Sequence, residues 1–177
     1  MKALSIILIV VFGFIGLYAE EAVINLDRVN LLEPSPNEVE QLSNRIAAHF
    51  AFPERAENTK IIYAELVVPF DLSQVNREGS NMLEIQARYI TSDWNQEDPD
   101  CFDSIDESTV FTYTIDMARD SILVIDVTGF VQMLAEDSID NYGLMLIPYK
   151  YDQSVVNLTS EVASAIRESG QIRIIYK

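Results

Sequence analysis

Apolar and polar residues alternate along most of the chain after residue 22, and this alternation constrains the fold more than any other feature. In "MLEIQARYIT", residues 82–91, Leu83, Ile85, Ala87 and Tyr89 fall on one face of an extended strand. Successive side chains of a β-strand point to opposite sides, so a period of two is typical of a strand with one buried face. The C-terminal "QIRIIYK" repeats the pattern. Alternation of this kind indicates antiparallel strands.

Nine segments carry strand signals, with turn-rich pieces such as "EPSPNE" and "NREGSN" between them. They are residues 23–31, 45–52, 60–70, 82–91, 109–115, 121–127, 142–149, 154–159 and 171–177. In the third segment the predicted buried face consists of Ile62, Ala64, Leu66, Val68 and Phe70. Short strands at this spacing predict an all-β protein, an antiparallel β-sandwich of jelly-roll-like type.

One short helix is predicted in "TGFVQMLAED", between two of the strands. Its apolar stripe consists of Phe130, Val131 and Leu134. We expect the hydroxyl of Thr128 to cap the first turn and the stripe to cover one open end of the sandwich. A weaker helical or turn signal lies at residues 160–168, with Ser160 as the expected cap and Gly170 as the stop.

The N-terminal segment "MKALSIILIVVFGFIGLYAEE" has the composition of an export signal. Lys2 supplies a positive start, an uncharged apolar run follows to Tyr18, and the small residue Ala19 precedes two glutamates. We therefore expect residues 1–19 to be a signal peptide and residues 20–177 to be a single domain. The alternative is an uncleaved membrane anchor, because the run approaches the roughly 17 residues of a short spanning helix. The expected location is secreted, periplasmic or at the cell surface.

The charge of the chain excludes two classes of partner. The sequence has 12 Lys and Arg against 28 Asp and Glu, a formal net charge of −16 at pH 7. Nucleic acids and anionic membranes require a basic surface that replaces their counterions, so neither is an expected partner. Cys101 is the single cysteine, which rules out an internal disulfide, and its acidic neighbours disfavour a reactive thiolate.

An acidic segment lies between residues 93 and 107, where seven side chains are acidic and none is basic. Clustered oxygen ligands suit Ca²⁺, which takes roughly six to eight of them. The predicted calcium ligands are Asp93, Asn95, Glu97, Asp98, Asp100 and Asp103. The segment lacks the glycine and the terminal glutamate of a helix-loop-helix calcium site, and the alternative is a solvated acidic loop. No other cofactor is expected.

Aromatic side chains are the second group of candidate ligand-binding residues, because sugar rings stack on exposed aromatic faces. The predicted ligand-binding residues are Trp94, Tyr149 and Tyr151. The two tyrosines flank Lys150 in a polar turn, which favours exposed rings. The alternative is that these rings belong to the core with a polar group at one end. His49 has no second His or Cys near it in the sequence and is a weak metal candidate.

Six segments in a fixed order connect the chain to a known family: "RIAAHFAFPE", "KIIYAELVVPFD", "LEIQARYITSDWNQED", "ILVIDVTGFVQMLAED", "NYGLMLIPYK" and "IRIIYK". Over residues 44–177 this order resembles the DNRLRE family of exported bacterial β-sandwich domains, which are related to some carbohydrate-binding modules. The resemblance implies a structural role for the unit that contains "DVTGFVQML". Family members commonly carry a second Trp, whereas Trp94 is the only Trp here and the corresponding region reads "ESTVFTYTID".

These observations predict a non-enzymatic exported interaction module, carbohydrate-binding or surface-adhesive, whose partner is a polysaccharide or another envelope protein. One alternative is a structural or assembly component of an envelope or surface complex, and another is an unrecognised hydrolase. Contact with a membrane is expected only through an uncleaved N-terminal segment. An exposed row of aromatic rings would favour sugar binding, an apolar patch on a polar face would favour protein assembly, and two carboxylates in a deep cleft would favour a hydrolase.

Overall fold

The computed structural model describes residues 19–32, 44–53, 60–69, 76–77, 82–94, 105, 111–116, 121–149, 156–157 and 160–177. The strands in these ranges are β1 (Glu20–Asn25), β2 (Arg28–Leu32), β3 (Arg45–His49), β4 (Ile61–Pro69), β5 (Asn76–Arg77), β6 (Met82–Tyr89), β7 (Phe111–Asp116), β8 (Ile122–Asp126), β9 (Leu144–Tyr149), β10 (Val156–Asn157) and β11 (Gln171–Tyr176). The helices are α1 (Thr128–Ala135) and α2 (Ser160–Ser169). The predicted signal peptide lies almost entirely outside the described residues.

Two antiparallel sheets form the protein. The four-stranded sheet has the order β1-β11-β4-β8, and the five-stranded sheet has the order β2-β3-β9-β6-β7. The short strands β5 and β10 pair only with each other in the part of the chain that the structure describes. The prediction of an all-β antiparallel sandwich with short helices is confirmed. Of the predicted strand at residues 154–159, the structure describes residues 156 and 157, which form β10.

The core lies between the sheets and is built from the alternating positions that the sequence indicates. Leu66 of β4 and Ile85 of β6 are fully buried, as are Phe130 and Val131 of α1. The Phe130 ring stacks on Tyr89 of β6 with 4.9 Å between the ring centroids. Helix α1 therefore buries its predicted apolar stripe against the sandwich core, which it shares with residues from both sheets.

Ile62 departs from the predicted pattern of its strand. It was expected on the buried face, yet its side chain is 49% exposed, whereas Ile61 is buried. The cause is an irregularity in the pairing of β4 with β11, where Ile175 is opposite Tyr63 but Tyr176 is opposite Ile61. The skipped residue Ile62 is displaced toward solvent, as is typical of the extra residue at a bulge.

The segment predicted as one strand at residues 23–31 forms two strands in different sheets. The backbone N–H of Leu26 donates to the carbonyl of Gly170 in front of β11, at 3.3 Å, and the N–H of Asp27 donates to the carbonyl of His49, at 3.0 Å. The chain thus leaves the four-stranded sheet at Leu26 and enters the five-stranded sheet one residue later. The core-facing positions shift by one residue at this corner, from Ile24 and Leu26 to Val29 and Leu31, and the consecutive polar residues Asp27 and Arg28 mark the change of sheet in the sequence.

The expected capping role of Thr128 is wrong. Helix α1 has no side-chain cap at its first position, Val127. The Thr128 hydroxyl instead donates to the carbonyl of Ala64 at 3.2 Å and accepts from its N–H at 2.9 Å, so it continues the ladder between β4 and β8. The N–H of Thr128 donates to the carboxylate of Asp126 at 2.9 Å, which satisfies one open donor of the helix.

Helix α2 confirms the weaker helical signal and ends where the sequence predicts. Its buried residues are Val162, Ala163 and Ile166. A Cβ atom on Gly170 would lie 2.5 Å from the Ile166 carbonyl oxygen and 2.7 Å from Leu26 Cδ1, so only glycine fits this close contact. Neither helix in the described ranges is long and apolar enough to cross a membrane.

Candidate functional site

The outer surface of the four-stranded sheet, which we call the four-stranded face, carries the largest exposed apolar side chains. Val23 on β1 is 53% exposed and Ile122 on β8 is 51% exposed, at opposite edges of the sheet. Ile62, which the bulge in β4 displaces toward solvent, is the third exposed large hydrophobic residue among the described residues. Val67 of β4 and Val124 of β8 lie opposite each other in the pairing of these two strands, and both side chains are half-buried.

An ionic network occupies the middle of the four-stranded face. Arg173 of β11 donates to Glu21 of β1 at 2.9 Å through Nε and to Glu65 of β4 at 2.6 Å through an η nitrogen. The other carboxylate oxygen of Glu65 accepts from the Tyr63 hydroxyl at 3.0 Å. One guanidinium therefore ties three neighbouring strands together, with its charge matched by two carboxylates.

The network changes the titration of its members. Burial, followed by the hydrogen bond to Glu65, raises the pKa of Tyr63 from 10.0 to about 12. The hydrogen bond to Glu21 and the charges of Glu21 and Glu65 raise the pKa of Arg173, so its guanidinium stays charged. With Asp126 exposed at the end of β8, the face carries more acidic than basic groups. A complementary surface would therefore combine apolar and basic groups.

The outer surface of the five-stranded sheet, the five-stranded face, has a different chemistry. Register places Thr114, Glu84 and Tyr149 in one row, and Thr112, Gln86 and Ile147 in the next. Thr112 and Thr114 are exposed, and Glu84 and Gln86 are half-buried. Hydroxyl, amide and carboxylate groups alternate across this part of the sheet, which is suited to a polyhydroxylated ligand.

Arg88 extends this polar row toward the centre of the five-stranded face. Its terminal nitrogen donates to the Gln86 side-chain oxygen at 3.0 Å. Its Nε is buried and has no hydrogen-bond partner. Arg88 is paired with Met145 of β9, at the margin of a second apolar cluster on the outside of this sheet.

Trp94 belongs to that second cluster. Its side chain is only 2% exposed, and it packs with Leu32, Ala47, Ile90 and Met145. The indole Nε1 donates to the carbonyl of Tyr142 at 2.6 Å. The prediction that Trp94 binds a ligand is not supported, because both the ring and its polar group are already used inside the protein.

The guanidinium of Arg28 packs over the Trp94 ring. Its guanidinium carbon lies 5.0 Å from the ring centroid, a cation–π distance, and its terminal nitrogen donates to the Trp94 carbonyl at 3.2 Å. Trp94 is thus covered by a β2 side chain that is distant in sequence. The residue that sequence reasoning assigned to a ligand surface instead fixes the segment after β6 onto the five-stranded sheet.

The two predicted tyrosine ligands fall at the limit of the described chain. Tyr149 ends β9 with its backbone opposite Glu84, so its register position belongs to the polar row of the five-stranded face. Nothing is described of its side chain, and Tyr151 lies outside the described residues. The strand pairing therefore brings the backbone position of Tyr149 to a candidate binding surface.

The predicted calcium site is represented by one residue. Asp93 is exposed, its carboxylate accepts from the Trp94 N–H at 3.0 Å, and it lies 3.7 Å from the Arg28 guanidinium. The other predicted ligands, Asn95, Glu97, Asp98, Asp100 and Asp103, lie outside the described residues. Within the described ranges no group of three or more His, Cys, Asp or Glu side chains is arranged to hold a metal ion.

His49 has a structural environment at the corner between β1 and β2. Its Nδ1 lies 2.6 Å from the Asp27 carboxylate, and its Nε2 lies 3.3 Å from the carbonyl of Asn141. The Asn141 amide in turn donates to the carbonyl of Phe50 at 2.7 Å. The imidazole therefore connects three chain segments where the strands change sheets, which accounts for a single histidine without a metal.

Sequence reasoning missed the Arg173 network. Arg173, Glu65 and Tyr63 sit at outward positions of predicted strands, whereas Glu21 lies before the first predicted strand, so nothing in the sequence indicates that these residues meet. The network exists because β11 lies between β1 and β4, so that Arg173 is paired with Val23 on one side and with Glu65 on the other. Strand order of this kind is not encoded in the local alternation of the segments.

Comparisons with known proteins add no family. No family model and no curated protein matches this chain. The resemblance to the DNRLRE family therefore stays a prediction from the order of the motifs.

Proposed function

We propose that this protein is an exported, non-enzymatic module that assembles with a partner protein through the four-stranded face. The observation that carries the proposal is the location of the exposed large hydrophobic side chains. Among the described residues these are Val23, Ile62 and Ile122, and all three belong to strands of one sheet. Apolar side chains that are concentrated on one side of a soluble protein are typical of a protein contact surface.

The Arg173 network makes this face suitable for burial in an interface. Burying an unpaired charge is costly, whereas the Arg173 guanidinium already has Glu21 and Glu65 as partners. A partner that covers the face would not have to supply the compensating groups. The remaining acidic excess favours a partner with basic side chains around an apolar centre.

Site-specific photo-crosslinking in the native host tests this proposal. A photoreactive residue replaces Ile122 on the four-stranded face, and the matched control replaces Thr112 on the five-stranded face, since both are exposed strand residues. We expect one defined protein adduct from position 122, none from position 112, and loss of the adduct when Val124→Lys is added. An adduct from position 112 alone, or from neither position, would contradict the proposal.

Carbohydrate binding at the five-stranded face is the second candidate. It is favoured by the polar row of Thr114 and Glu84 next to the register position of Tyr149. A glycan array on the exported protein, with and without Ca²⁺, tests it. Binding that is lost in Glu84→Ala and Tyr149→Ala but retained in Ile122→Asp would assign the sugar to this face. Absence of glycan binding in both buffers would remove this candidate.

A further inference from the structure

We propose that the free edge of β1 pairs with β1 of a second copy of this chain, antiparallel and about a two-fold axis at Val23. The pairing would join the two four-stranded sheets into one continuous sheet. It depends mainly on the backbone of β1 and leaves Ile122 at the other edge of the sheet accessible, so it is tested independently of the proposed function.

The backbone of β1 has hydrogen-bonding groups available on one side. Leu26 donates its N–H to Gly170 in front of β11, so Leu26 faces the β11 side of the strand. Because the N–H and C=O groups of a strand point to alternate sides, Ala22 and Ile24 also face β11. Glu21, Val23 and Asn25 therefore direct their backbone groups to the opposite edge, where no strand pairs with β1 in the described chain.

The geometry of a two-fold axis determines which residues of the two β1 strands face each other. A two-fold axis perpendicular to the sheet keeps outward residues opposite outward residues. With the axis at Val23, that residue faces Val23 of the second copy, Glu21 faces the copy's Asn25, and Ala22 faces the copy's Ile24. The outward-directed backbone groups then form hydrogen-bonded pairs at Glu21, Val23 and Asn25, the arrangement of an added antiparallel strand.

Like charges on β1 oppose two other registers. A parallel in-register pairing, or an antiparallel pairing about Glu21, places Glu21 directly against Glu21 of the second copy, and like charges opposite each other destabilise a sheet. The register about Val23 places Glu21 against a neutral amide. The Asn25 side-chain oxygen accepts from Gln171 at 3.3 Å, which leaves its amide nitrogen to donate across the axis.

The side chains of β1 fit this arrangement. Val23, which is 53% exposed in the single copy, would contact its equivalent on the outer surface. Ala22 and Ile24 are partly buried against the core and would extend that core across the axis. A pairing of five residues per copy is small for a protein interface, so we expect a weak dimer, with a dissociation constant on the order of micromolar or above.

Sedimentation equilibrium of the full chain, recovered after export at physiological ionic strength, measures the dimer. The first variant is Val23→Pro, which removes an N–H that points to the free edge and leaves the pairing with β11 intact. Val23→Thr is its control, because it keeps both the N–H and the branched shape. We expect Val23→Thr to dimerise like the wild type, and Val23→Pro to be monomeric with an unchanged circular dichroism spectrum.

A second pair of variants tests the register. Asn25→Lys and Asn25→Glu place opposite charges against Glu21 of the second copy, and only the lysine must lose the bond that Gln171 donates to position 25, since a carboxylate can still accept it. We expect the dissociation constant to differ by roughly fivefold or more between them, with Asn25→Lys the tighter, since each cross-strand charge pair occurs twice. Ser121→Lys and Ser121→Glu, at the far edge of the sheet, control for the change in net charge.

Three results would overturn the proposal. The wild type could remain monomeric up to millimolar concentration, a folded Val23→Pro variant could dimerise like the wild type, or the Asn25 pair could differ no more than the Ser121 pair. Each is distinct from failure of the proposed function, which is judged by adducts from Ile122 at the other edge of the sheet.

Discussion

Single side chains in this protein have roles that are set by groups distant in the chain. Trp94 fills the second apolar cluster and donates to the carbonyl of Tyr142. Tyr63 is held by Glu65 inside a network that also includes Arg173 and Glu21. Trp94 is buried and Tyr63 is half-buried, both have a hydrogen-bonded polar end, and each leads to a prediction at the residue scale.

Replacement of Trp94 is expected to destabilise the protein strongly. Trp94→Ala removes a side chain that is 2% exposed and should lower the free energy of unfolding by about 3 to 5 kcal/mol. Trp94→Phe should cost less, because it keeps most of the packing and loses only the bond to Tyr142. Denaturant titration measures both. Since Trp94 is the only Trp, its emission should also be blue-shifted in the native state, and solvent-exposed emission would contradict this placement.

Alkaline pH is expected to weaken the fold through Tyr63. The folded pKa is raised to about 12 from 10.0, so the folded state retains the proton that the unfolded state loses. The stabilising contribution is therefore present below pH 10 and is lost as the pH rises toward about 12. Melting temperatures over this range should fall more steeply for the wild type than for Tyr63→Phe. Parallel slopes would mean that Tyr63 titrates normally.

At the scale of secondary-structure elements, helix α1 forms where the sequence predicts it, but its hydrogen bonds to strand β4 were not predicted. Its position and its buried stripe agree with the sequence, but Thr128 bonds to Ala64 of β4 and does not cap the helix. Ala64 is fully buried, so the N–H that Thr128 satisfies has no access to water. The hydroxyl therefore connects the start of α1 to the sheet.

Loss of this hydroxyl should destabilise the protein by leaving a buried donor without a partner. We expect Thr128→Val, which conserves shape, to lower the free energy of unfolding by about 1 to 3 kcal/mol. Thr128→Ser retains the hydroxyl and is expected to lose considerably less. A Thr128→Val variant as stable as the wild type, with Thr128→Ser the less stable of the two, would show that the bond to Ala64 contributes nothing and that the methyl group decides the effect.

The alternation of residues predicts the strands well but not their neighbours. Strands β4, β6 and β11 were located because one face of each is buried. The corner at Leu26 was missed because its only sign in the sequence is the pair of consecutive polar residues Asp27 and Arg28. The displacement of Ile62 was missed because it depends on pairing with β11. The same limit applies to the candidate site, because Arg173 meets Glu21 and Glu65 only through the order of the strands.

At the scale of the whole molecule, the two outer faces differ in chemistry. The four-stranded face has exposed Val23 and Ile122 around a compensated guanidinium, whereas the five-stranded face has exposed Thr112 and Thr114 beside half-buried polar groups. Sheet order creates this difference, since each face collects the outward residues of strands that are far apart in the chain. The proposed contact surface is therefore the face on which the exposed apolar side chains of the described residues lie.

The most direct test of this account is the affinity for the partner protein that crosslinks from position 122. Titration of that partner would compare the wild type with Ile122→Asp on the four-stranded face and with Thr112→Asp on the five-stranded face, two exposed positions that receive the same charge. We predict that Ile122→Asp weakens binding by about tenfold or more, equivalent to roughly 1.4 kcal/mol, while Thr112→Asp leaves the affinity unchanged. Equal loss in both variants, or loss in Thr112→Asp alone, would contradict the assignment of the four-stranded face as the binding surface.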